Sequence, residues 1–184
     1  MAVTISMPDD LHGRIRDHLN HTAEQVAFFL AQRPLDGTAS HLRLVDAYLV
    51  PADDLESNGP VHVHLADQIQ GQIIRWAWNA DACLVEAHSH APWGDPAAFS
   101  RTDLDGLAEW VPHVWWRLGG RPYAALVFGA RTFDGLAWTR SPTIAEPVDL
   151  LRIDGQPPRA ATGLSHTRLQ QRARAKRSSP DAPH

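Results

Sequence analysis

Two histidine pairs are the first features with chemical content, His62-Val63-His64 and His88-Ser89-His90. With 11 histidines in 184 residues, random placement supplies roughly 0.7 His-x-His pairs, so the surroundings must separate them. In an extended strand, residues i and i+2 point to the same face, about 6.5 Å apart along the chain, which lets two imidazoles converge on one metal ion. Both pairs meet this condition. Only the second is followed by a loop, Ala91–Phe99, that leads into Ser100-Arg101-Thr102-Asp103. Ser100 is a natural helix N-cap, and Asp103, three residues on, falls in the first turn, where the loop comes back toward the strand end. His88, His90 and Asp103 would give a catalytic zinc its three protein ligands and leave the fourth position for water. His62 and His64 have Asp67 nearby but no comparable arrangement, and read as the outward polar residues of a strand.

Hydrolysis at such a centre needs a base to take the water's proton, usually a glutamate that is not a ligand. Two glutamates qualify. Glu24 begins an apolar run, and Glu86 is two residues before His88 on the same strand face, where it could also serve as a ligand or as a partner behind one.

The pattern His-x-His, a Pro-containing loop, then Ser-x-x-Asp, with a glutamate far upstream, resembles the JAMM/MPN-type zinc metalloproteases (JAB domain) in their prokaryotic branch, over residues 8–140. Relative to the family pattern, Ala91 precedes Pro92 and Ser100 stands two positions further on, equivalent to a two-residue insertion, and Ala27 stands where the family commonly has glycine. The resemblance implies that His88, His90 and Asp103 ligate one Zn2+, that Glu24 is general base and acid, and that Ser100 donates a hydrogen bond to the oxyanion, an interaction worth about 3 kcal/mol in other hydrolases. It implies as substrate the C-terminal tail of a ubiquitin-like or sulfur-carrier protein, laid along a strand edge and cleaved at a peptide or isopeptide bond. A metal-free, non-catalytic MPN-type scaffold that binds a ubiquitin-like protein or a complex partner is the alternative.

These residues need strands and helices to hold them. Met7-Pro8-Asp9-Asp10 opens a helix with the stripe Leu11, Ile15, Leu19, ending near Asn20. Strands are expected at 24–30, 41–50, 61–65, 83–88, 123–128, 135–138 and 148–153. Ile69, Ile73 and Ala77 mark a second helix, and Ser100 opens a third carrying Leu104, Leu107 and Trp110. The expected class is α/β or α+β, a mixed sheet flanked by helices, and the resemblance implies a JAB/MPN fold akin to the cytidine-deaminase-like architecture. Trp110, Trp115, Trp116 and Tyr123 read as core or interface aromatics, while Trp93, in the loop beside the proposed metal, is placed where it could flank a substrate groove.

Composition sets the outer limits. At 43% hydrophobic and 21% charged residues the chain is an ordinary globular protein. No run approaches the roughly 18–20 apolar residues of a membrane span, and Asp9, Asp10, Arg14, Arg16 and Asp17 break any signal-peptide segment. A cytoplasmic location is therefore expected. Lone Cys83 excludes an internal disulfide and every zinc site built on paired cysteines. The net charge of −4 divides into +5 over residues 156–184 and −9 over the rest. The expected organisation is a domain over 1–154 and a basic tail over 155–184, too poor in apolar residues to order itself. Nucleic acid or an acidic partner is the alternative use of that tail.

Overall fold

This computed structural model describes residues 3–20, 24–32, 40–51, 54–59, 62–90 and 95–178. Its elements in chain order are β1 (Val3–Met7), α1 (Asp9–Leu19), β2 (Val26–Ala31), β3 (His41–Leu49), β4 (Leu55–Gly59), β5 (His62–Leu65) and α2 (Asp67–Asn79). They continue with β6 (Cys83–Ser89), α3 (Arg101–Arg117), β7 (Tyr123–Phe128), β8 (Phe133–Trp138), β9 (Glu146–Ile153), β10 (Arg159–Ala160) and α4 (Leu164–Ser178). The mixture is α+β, and no described helix is long and apolar enough to cross a membrane.

The sheet runs β1-β3-β2-β6-β7-β8-β9, and β1 also pairs with β9, so seven strands close into a barrel with β10 added beside β9. This corrects the expectation of an open sheet flanked by helices. The strand that makes the difference is β1, which lies ahead of every strand inferred from the sequence. It is parallel to β3 on one side (Ile5 opposite Leu42) and parallel to β9 on the other (Ile5 opposite Leu151), and so covers both edges that an open sheet would expose.

Strand alternation sorts the side chains into two buried clusters. Val3, Ile5 and Met7 of β1, Phe29 of β2, Leu42 of β3, Val85 of β6, Leu126 of β7, Phe133 of β8 and Leu151 of β9 face inward, and the α1 stripe Leu11, Ile15 and Leu19 joins them. On the outside, α2 and α3 cover one arc of the barrel, where Ile73, Leu104, Leu107 and Val111 pack on Phe28, Leu84, Tyr123 and Leu136. Gly135 of β8 takes an inward slot that its neighbours have already filled. A Cβ there would lie 2.8 Å from Leu126 Cδ2 and 2.9 Å from Val148 Cβ. Gly135→Ala is therefore expected to cost about 1–3 kcal/mol by overpacking, read as a lower urea midpoint with an unchanged slope.

The C-terminal segment also departs from expectation. Residues 159–160 form β10 and residues 164–178 form α4, so most of the stretch expected to be an unstructured tail is ordered. Apolar periodicity gave no warning because α4 is fastened by hydrogen bonds at its start. The Asp134 carboxylate of β8, fully buried, accepts from the backbone N–H of Gly163 (3.0 Å) and of Ser165 (2.8 Å), occupying two donors of the helix's first turn. β4 and β5 form a separate two-stranded ribbon. His62 and His64 lie on this ribbon, and their side chains fall outside the described residues.

Candidate metal centre

The alternation of β6 turns Cys83, Val85 and Ala87 into the barrel and puts Leu84, Glu86 and His88 on the face beneath α3. His90, two residues past His88, keeps to that face. The three candidate ligands converge: His88 Nε2 and His90 Nε2 are 3.1 Å apart, and Asp103 Oδ2 lies 3.0 Å from His90 Nε2 and 3.6 Å from His88 Nε2. Donor atoms around a tetrahedral zinc with bonds of about 2.0–2.1 Å stand about 3.3–3.4 Å from one another. The observed separations bracket that value, so the group could hold a metal ion of this size with little movement. Cys83 is buried in the barrel interior and takes no part.

Asp103 is placed by a capping box. Its backbone N–H donates to Ser100 Oγ (3.1 Å), and Ser100 N–H donates to Asp103 Oδ2 (2.7 Å). The same oxygen that faces both imidazoles is thus held from behind by a backbone amide, and the Ser-x-x-Asp spacing serves helix capping and the site together.

The segment entering α3 has no strand partner among the described residues, yet its backbone is bonded at alternate residues by side chains from elsewhere. Ala97 N–H donates to Thr132 Oγ1 (2.8 Å) and its carbonyl accepts from Thr162 Oγ1 (2.7 Å). Phe99 N–H donates to Ser165 Oγ (2.9 Å) and its carbonyl accepts from Arg168 Nη1 (2.7 Å). The Phe99 ring, fully buried, lies 5.4 Å from the ring of His88. None of these four side chains was found by sequence reasoning. Their partners are 35 to 69 residues away, and no local spacing records such a contact.

Glu24 stands just before β2. The β2–β6 register pairs Val26 with His88, and extending it by two residues puts Glu24 opposite His90. It lines, with His88 and Asp103, a cleft of about 650 Å³ whose wall continues through Glu86, Trp110 and His113. Glu86 is differently occupied: the Tyr123 hydroxyl donates to its carboxylate, and Trp110 Nε1 donates to the Tyr123 hydroxyl at 2.9 Å. Tyr123 is a core aromatic, Trp110 and Trp115 are half-buried against the same cluster, and Trp116, 76% exposed, lies outside the core. Trp93 falls outside the described residues.

Charges reinforce the convergence. Burial opposes ionisation of Asp103, but hydrogen bonds from His88 and His90 outweigh it and hold the carboxyl far below the usual range. Burial likewise opposes a charge on His88, and the carboxylates of Asp103, Glu86 and Glu24 outweigh it, raising the imidazole above its ordinary value. For Glu86 burial prevails over the Tyr123 hydrogen bond and the nearby imidazole, and its carboxyl is pushed up. No family model and no curated protein matches the chain.

Proposed function

We propose that the protein is a zinc-dependent hydrolase of the JAMM/MPN type, cleaving a peptide or isopeptide bond after the C-terminal tail of a ubiquitin-like or sulfur-carrier protein. The observation that carries this reading is the convergence of His88 Nε2, His90 Nε2 and Asp103 Oδ2 at the head of a cleft that Glu24 also lines. A zinc ion held there would polarise the scissile carbonyl and acidify the attacking water. Glu24, on the same cleft wall, would be the group that takes up the water's proton and returns it to the leaving amine. Ser100, fixed against Asp103, donates to the oxyanion. Acidic side chains dominate the cleft lining, with Glu24, Asp105 and Glu109 beside Asp103 and no lysine or arginine among the described lining residues, which favours a substrate that brings positive charge to the scissile bond.

The barrel strands nearest the site, β2 and β6, are paired on both sides, so an extended tail finds no free edge there. Among the described residues the β4–β5 ribbon offers one, and Leu65 at the end of β5 reaches the cleft. The ribbon therefore takes the place of the barrel edge as the docking strand.

The test is elemental mass spectrometry on protein purified without a polyhistidine tag, followed by incubation with Gly-Gly-tailed ubiquitin-like proteins carrying either a linear or a lysine-linked extension. One zinc per chain, with cleavage after Gly-Gly that chelation abolishes and zinc restores, is the expected result. Zinc without cleavage of either substrate would overturn the assigned substrate class, iron in its place would point to other chemistry, and no metal after reconstitution would end the proposal in favour of the scaffold reading.

A further inference from the structure

We infer that α4 is part of the metal centre: Ser165 and Arg168 are positioning residues that hold the Phe99–Ser100 peptide, and through it the Asp103 carboxylate, in ligating geometry. The inference rests on the metal reading of His88, His90 and Asp103. Its physical basis is one peptide plane. The carbonyl of that plane belongs to Phe99 and accepts from Arg168 Nη1 at 2.7 Å, while the N–H on its other side belongs to Ser100 and donates to Asp103 Oδ2 at 2.7 Å. A guanidinium on the carbonyl polarises the amide, so the N–H behind Asp103 is both oriented and strengthened as a donor.

Ser165 fixes the preceding amide, accepting from Phe99 N–H at 2.9 Å, and is itself fully buried. Its own N–H donates to the buried Asp134 carboxylate, so an unbroken series of hydrogen bonds and backbone runs from the barrel wall at β8 through α4 to the carboxylate facing the two imidazoles. The Phe99 ring, held by the same two bonds, packs against His88. One helix therefore touches the supports of two of the three ligands while contributing no ligand itself. Partners behind metal ligands are commonly worth 10–100-fold in metal affinity, and the same range is expected for Ser165 and Arg168.

The experiment uses the full chain with Ser165→Ala, Arg168→Ala and Arg168→Lys, and Gln171→Ala on the same helix as control. Two quantities are read: hydrogen exchange of residues 97–104 in the metal-free protein, and the affinity and visible absorption of bound Co2+. The alanine variants are expected to exchange at least about tenfold faster over 97–104 while exchange in β2 and β6 stays unchanged, to bind cobalt about 10–100-fold more weakly, and to show an altered cobalt band. Arg168→Lys restores most of the loss, since an ammonium can still donate to the Phe99 carbonyl. Unchanged exchange over 97–104, or faster exchange with wild-type cobalt affinity and absorption, would overturn the inference. Wild-type protein that bound no cobalt would end the metal reading by itself, and the exchange data would still decide whether α4 holds the Asp103 segment.

Discussion

His88→Ala is expected to abolish stoichiometric metal binding, whereas His62→Ala leaves it intact. With His88 gone, only His90 and Asp103 remain of the three converging groups, and two ligands rarely retain zinc through dialysis. The loss should exceed the roughly 10–100-fold that a partner behind a ligand costs. Folding should survive the change, because His88 lies on the outer face of a barrel whose interior is filled independently by residues such as Val85 and Leu126. Asp103→Asn is the companion variant, chosen because alanine would also remove a capping-box partner at a further cost of about 1 kcal/mol. Metal content by elemental mass spectrometry, with far-ultraviolet circular dichroism as the control for fold, is the measurement. One metal ion per chain retained in His88→Ala would refute the assigned ligand set, and loss in His62→Ala alone would move the centre to β5.

Glu24→Gln should keep the metal and lower kcat by a factor on the order of 10²–10⁴, the usual worth of a positioned general acid–base. The amide fills the same space and accepts hydrogen bonds but cannot take up a proton. Glu86 is the rival for the role: it lines the same cleft as Glu24, His88 and Asp103, and its carboxylate accepts the Tyr123 hydroxyl bond. Turnover measured at saturating substrate, alongside zinc content, checks the assignment. A Glu24→Gln enzyme of full activity would transfer the role to Glu86, and Glu86→Gln would then be the variant that fails.

The convergence of His88, His90 and Asp103 was more legible in the sequence than the architecture around it, because its geometry is made locally. His88 and His90 share a face through the two-residue repeat of β6, and Ser100 and Asp103 through the first turn of α3. Elements with strong periodicity, α1 on Leu11, Ile15 and Leu19 above all, were legible for the same reason. What escaped was non-local. Val3-Thr4-Ile5-Ser6-Met7 alternates as a strand should, yet the helix signal at Pro8 drew the reading past it, and nothing in five residues says that they pair with 148–153. The order of α4 rests on Asp134, some 30 residues upstream, and on Phe99, more than 60 upstream. A low content of apolar residues was a sound reason to expect an unstructured tail, but it carries no record of side chains elsewhere waiting to bond to that tail.

The seam between β1 and β9 also sets a timetable for synthesis. β1 leaves the ribosome some 145 residues ahead of its partner at 148–153. At translation rates of about 5–20 residues per second, that interval is on the order of ten seconds. Until it ends, the nascent barrel is a curved sheet with β1 holding only β3, its outer edge open to any extended chain nearby. Long-range closure of this kind is slow even in the finished polypeptide. The last strand of the barrel to be made therefore closes the barrel and ends the exposure of the first.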